Sequence, residues 1–158
     1  MKTRNSRVVL FLLLVALVLT GCVGGGSSNP EAEIRTVLRR LENLTLTKDL
    51  SAFNSMFAPI IWGENGQYLT REELKLALIA IFTEIEYLEY EIRNPQFLFN
   101  KDMTEAVVHV TEYAKVRHIP TRIVNSGTSE SIYVFSKVSG KWVIEQARLV
   151  SIGSLNFE

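Results

Sequence analysis

One cysteine, two histidines and four prolines in 158 residues set limits before any motif is sought. The single thiol, Cys22, excludes an internal disulfide framework and any metal site built from several cysteines. His109 and His118 have no second histidine or carboxylate at ligand spacing, so no metal and no cofactor are expected. Basic residues are not in excess, since 17 Lys and Arg stand against 17 Asp and Glu. Removing residues 1–21 takes away Lys2, Arg4 and Arg7 but no acid, leaving a net charge of about −3. Nucleic-acid binding, which rests on basic patches that neutralise phosphates, is therefore not expected. No glycine-rich phosphate loop, G-x-S-x-G elbow or Cys–His pair occurs. No apolar run reaches the ~20 residues that a membrane-spanning helix needs.

What is there begins at the N-terminus. Residues 1–7, MKTRNSR, are polar and basic, and Val8 to Leu19 contains no polar side chain. As a helix that run rises only ~18 Å, short of a ~30 Å hydrocarbon core, so it reads as a secretory signal. Leu19-Thr20-Gly21-Cys22 then resembles the lipobox of bacterial lipoproteins. The resemblance implies a diacylglycerol on the Cys22 thiol, cleavage just before it and an acylated amino terminus. Residues 1–21 are then a lipoprotein signal peptide, 22–29 a lipidated cysteine with a flexible tether, and 30–158 the folded domain. The expected location is extracytoplasmic, held to the cell membrane by acyl chains. Val23, rather than Asp, is similar to the outer-membrane sorting pattern of two-membrane bacteria.

Asn29-Pro30 reads as an N-cap followed by a first-turn proline. Ile34, Val37, Leu38, Leu41 and Leu44 make one apolar stripe behind it. A second helix is expected over Lys48 to Phe57, then a short buried strand at 60–62 and a turn at 63–66. Thr70 and Glu73 match a capping box, followed by a helix expected to bury Leu74, Ala77, Leu78, Ile81, Phe82 and Ile85. From about Leu88 the period changes from helical to alternating. Strands are expected at 88–99, 104–124, 130–138 and 141–152, with turns at 100–102, 125–128 and 139–140. Pro95 and Pro120 each mark an edge or a bulge. The sum is an α+β domain, three N-terminal helices packed on a curved antiparallel meander.

That order, with KDLSAFNSMFA as a second helix and FSKVSGKWVIEQARLV as a final hairpin, resembles the nuclear transport factor 2-like superfamily over residues 30–152. The resemblance implies a cone, also called cystatin-like, whose mouth often holds a ligand; some members are enzymes and others bind partners or dimerise through the sheet. Fold alone does not choose among these. Val108, Val110, Glu112, Ala114 and Val116 share one strand face, so Glu112 is an isolated carboxylate in apolar surroundings and the one candidate base. On the last strand Trp142, Ile144, Gln146 and Arg148 alternate together, which points Gln146 and Arg148 toward the mouth. Tyr90 and Trp62 complete the candidate ligand-binding set. In isomerase-like members a base carboxylate follows the second helix and a tyrosine lies on the first; here APIIWGENG offers only Glu64, and the first helix has no tyrosine. The leading expectation is a lipid-anchored, non-catalytic binding or interaction domain, with a homodimer through the sheet or an envelope protein as partner. The alternative is an isomerase, dehydratase or cyclase acting on a small apolar ligand, with Glu112 as base and Arg148 or Tyr90 as helper.

Overall fold

A computed structural model describes residues 29–62 and 67–157. The signal peptide, Cys22, most of the tether and the 63–66 turn with Glu64 lie outside the described residues. Helix α1 (Pro30–Thr47) starts where the capping signal places it, with the Asn29 side chain accepting from the Glu31 N–H. It buries Ile34, Val37, Leu38, Leu41 and Leu44, the stripe read from the sequence. The expected second helix shrinks to a 3₁₀ turn (Leu50–Ala52) and one α-turn, α2 (Phe53–Met56). Phe57 and Pro59 already belong to strand β1 (Phe57–Trp62), and β2 (Tyr68–Thr70) pairs with it antiparallel. Only Ile61 of the 60–62 stretch is buried; Ile60 and Trp62 are exposed.

Helix α3 (Arg71–Glu84) carries the full capping box, Thr70 and Glu73 each bonding the other's backbone. The expectation that it buries an apolar stripe is corrected. It touches β1, β2 and the next strand, β3, at the rim of the sheet. Phe82 is its one buried residue; Leu74 and Leu78 are partly covered, while Ala77, Ile81, Leu76 and Ile79 stay exposed.

The meander follows as β3 (Ile85–Phe99), β4 (Glu105–His118), β5 (Val124–Val138) and β6 (Lys141–Phe157). The turn expected at 125–128 lies instead at 119–123, around Pro120; residues 125–128 pair inside the β4–β5 ladder. A Ser-, Gly- and Thr-rich stretch had the composition of a turn, but register is set by the apolar pattern that flanks it. The sheet order is β2-β1-β6-β5-β4-β3, and β1 runs parallel to β6. The sheet is therefore mixed rather than wholly antiparallel, and two strands separate the second helix from the third.

Residues paired across a ladder share a face. The inner face carries Phe97, Phe99, Ala106, Val108, Val110, Tyr133, Phe135 and Ile144, closed over by α1 and α2. Bulges curve the sheet around those helices. One falls at Asn94-Pro95, where Asn94 has φ 51° and the Glu42 carboxylate accepts the Ile92 N–H at 2.6 Å. No helix among the described residues is long and apolar enough to cross a membrane.

Candidate functional site

The inner face is dry at one end and open at the other. Val108 and Val110 are fully buried, whereas Glu112, Ala114 and Val116, further along the same strand face, are partly open. Register carries this face across to β6: Val110 pairs with Ser131 and Ser131 with Leu149, Glu112 with Ser129 and Ser129 with Ile152. Leu149 and Ile152 are exposed, and Ser129 and Ser131 lie between them and β4, so the open end is a wall of apolar and hydroxyl side chains with one carboxylate set in it.

Glu112 is held by three hydroxyls. Its Oε1 accepts from Tyr90 at 3.1 Å and from Tyr133; its Oε2 accepts from Ser131 at 3.1 Å. Tyr133 and Ser131 are buried. Tyr87 stands beside the group, its ring edge-on to Tyr90 with centroids 5.8 Å apart. A bulge at Leu88 brings Tyr87 and Tyr90, three positions apart, onto one face. Burial, with the Glu112 charge second, pushes the Tyr87 and Tyr90 phenols above their ordinary range. Burial does the same to Tyr133, with Tyr90 and then Glu112 adding to it. All three phenols thus stay protonated and act as donors or as ring faces, never as bases.

Of the residues singled out from sequence, Glu112 and Tyr90 come together and the other three go elsewhere. The alternation expected for β6 does not continue past Ile144. A bulge at Glu145 shifts the phase, so Gln146 pairs with Val134 and Arg148 with Ile132, both on the outer face. The expectation that Gln146 and Arg148 point into the mouth is corrected accordingly. Trp62 pairs with Gln146 and with Tyr68, its ring 4.4 Å from the Tyr68 ring, also outside. Sequence reasoning missed Tyr133, Ser131 and Tyr87. The alternation Ser131, Tyr133, Phe135 was a usable signal, but joining it to Glu112 required the β4–β5 register.

On the outer face one row crosses all six strands. Leu98 pairs with Val107, Val107 with Val134, Val134 with Gln146, Gln146 with Trp62 and Trp62 with Tyr68. Five of these six side chains are apolar or aromatic, and Leu98, Val107, Trp62 and Tyr68 are exposed. His109 and Glu130, 3.7 Å apart, lie near the row on the same face, while the Glu86–Arg117 pair at 2.8 Å sits ten positions further along β4. Two surface grooves lie away from Glu112, a broad one of about 590 Å³ lined by Glu86, Arg117, Ile119 and Arg122, and a small one of about 120 Å³ between α1 and the Pro95 bulge.

No family model matches the chain, and no curated protein matches it. Solved structures do. A nuclear transport factor 2-like protein from Cytophaga hutchinsonii is 15% identical with a TM-score of 0.62, covering 78% of this chain and 99% of its own. A hexachlorocyclohexane dehydrochlorinase is 10% identical with a TM-score of 0.67, over 81% of this chain and 88% of its own. A cystatin-like protein from Nostoc punctiforme is 20% identical with a TM-score of 0.55, over 75% and 88%. These TM-scores show a shared fold: the described residues form an α+β domain with the fold of these nuclear transport factor 2-like and cystatin-like proteins.

Proposed function

We propose that the chain is a lipid-anchored, extracytoplasmic lipoprotein whose domain binds a small ligand at the open end of the cone, without catalysis. The observation that carries the ligand site is the half-buried Glu112 hub, bonded by hydroxyls and flanked on the same face by the apolar Ala114, Val116, Leu149 and Ile152. A few placed polar groups in an apolar concavity are the usual make-up of a small-molecule site. The anchor rests on the lipobox resemblance at Leu19 to Cys22. Two or three acyl chains, at ~0.8 kcal/mol per buried CH₂, hold a protein to a bilayer for good. A non-catalytic role is supported by the three hydroxyl donors already on Glu112, and by Arg148 facing away from it.

The test is to extract the full-length protein in mild detergent and weigh it intact by native mass spectrometry. A small molecule retained by the parent and lost in Leu149→Asp supports the site; identical spectra would refute it. Cys22→Ser should abolish metabolic lipid labelling, and continued partition into the detergent phase would refute the anchor.

An isomerase-, dehydratase- or cyclase-type enzyme is the second reading, favoured by the Tyr90 phenol donating to Glu112, an acid beside a base. Turnover of a carbon acid that disappears in Glu112→Gln would establish it. The outer row supports a second copy of this chain as partner, because an exposed apolar strip on a sheet face can be covered by the same strip of a copy related by a two-fold axis. Light scattering should give a dimer that Val107→Glu dissociates; a monomeric parent would hand the face to an envelope protein instead.

A further inference from the structure

The carboxylate at the centre of the site has no counter-charge. None of the ion pairs among the described residues involves Glu112. Arg148, which simple alternation would set beside it, is on the other face. Lys48 is engaged at Phe82, donating to its carbonyl at 2.7 Å and lying over its ring. The three hydroxyls are neutral donors and bring no positive charge to it. A carboxylate offers about four acceptor positions. Oε1 uses two and Oε2 one, so one position on Oε2 remains. Beside it, the hydroxyls of Tyr90 and Tyr133 meet Oε1, and the Tyr87 ring stands edge-on to that of Tyr90, so aromatic side chains that can attract a cation lie next to the carboxylate.

We infer that the cone's mouth selects an organic cation: an ammonium group that donates to Glu112 Oε2 among the tyrosine rings, carried on an apolar body that lies along Ala114, Val116, Leu149 and Ile152. This deepens the ligand-binding reading above and rests on it. An anionic ligand is repelled by the same carboxylate, and a neutral one gains only the hydrogen bond. Because burial keeps the phenols protonated, no second negative charge develops at the site to change this preference near neutral pH.

The experiment titrates the full-length chain in a non-ionic detergent with phenethylammonium, its neutral counterpart 2-phenylethanol and the anion phenylacetate, followed by tyrosine ring NMR shifts. The ammonium should bind about tenfold more tightly than the alcohol, and the anion most weakly. Glu112→Gln should erase the preference for the ammonium over the alcohol. Tyr90→Phe keeps the ring and frees an acceptor position, so it should raise ammonium affinity about threefold; a purely structural Tyr90 predicts no gain, which decides the matter if Glu112→Gln does not fold. Equal affinity for ammonium and alcohol would overturn the cation and leave the pocket standing. Binding by none of the three probes would overturn the pocket itself.

Discussion

Raising the pH should unfold this protein through its buried phenols. Tyr90 and Tyr133 have proton affinities raised in the folded state by burial, and Glu112 adds its charge to both. In the unfolded chain each phenol ionises near pH ~10. A folded-state value above the unfolded one means that stability is fully present below pH ~10 and falls as pH rises past it, by ~1.4 kcal/mol per unit for each group. Two such groups remove up to about 3 kcal/mol by pH ~11, a large share of the ~5–15 kcal/mol that a domain has. Urea unfolding by circular dichroism at half-unit steps from pH 8 to 12 measures the loss. Tyrosinate absorbance at 295 nm, recorded alongside, shows whether these phenols ionise only as the fold is lost. Tyr133→Phe should make the slope shallower while lowering stability at neutral pH by about 1 kcal/mol for the lost hydrogen bond. A flat stability profile to pH 11, or tyrosinate forming near pH 10 with the fold intact, would refute the reasoning.

The Thr70–Glu73 capping box is local and fully exposed, so Thr70→Ala should cost about 1 kcal/mol and speed amide exchange in the first turn of α3 alone; protection unchanged there would show the box to be idle. Glu42→Ala strands the Ile92 N–H at the Pro95 bulge and should cost about 1–3 kcal/mol, with Glu42→Gln recovering most of it, as read from thermal melts. Ile144→Ala removes a fully buried side chain facing Phe57 and should cost about 2–5 kcal/mol; a loss under 1 kcal/mol would mean the wall collapses freely around it.

Helix α1, both caps and the four long strands were legible because each rests on local chemistry. A side-chain oxygen accepts a nearby N–H, and an apolar stripe repeats at the helical period. What was not legible depends on neighbours far along the chain. Alternation along β6 predicts Arg148 beside Glu112, yet one extra residue at Glu145 sends it outside, and no sequence pattern marks that position. Tyr87 and Tyr90 share a face only because of the Leu88 bulge. The Gly127 stretch reads as a turn from composition, but strand pairing on both sides overrides it. For α3 the apolar residues are there, but its contacts with β1, β2 and β3 bury only Phe82. The fold was therefore readable at the level of order, while the site was readable only as far as Glu112 and Tyr90.

The parallel pairing of β1 with β6 also sets a clock on synthesis. Phe57 and its partner Ile144 stand 87 positions apart in the chain. At ~5–20 residues per second, Phe57 waits roughly 4–17 s for the strand it leans on. Until then Ile34, Leu44, Phe53 and Met56 have been made without the Phe135, Trp142 and Ile144 wall that completes their core. An early N-terminal half therefore has nothing to lock onto, and loop closure must precede any reward from the sheet. For a chain proposed to be threaded through a membrane before it folds, that wait keeps it pliable, with strand order acting in place of a chaperone.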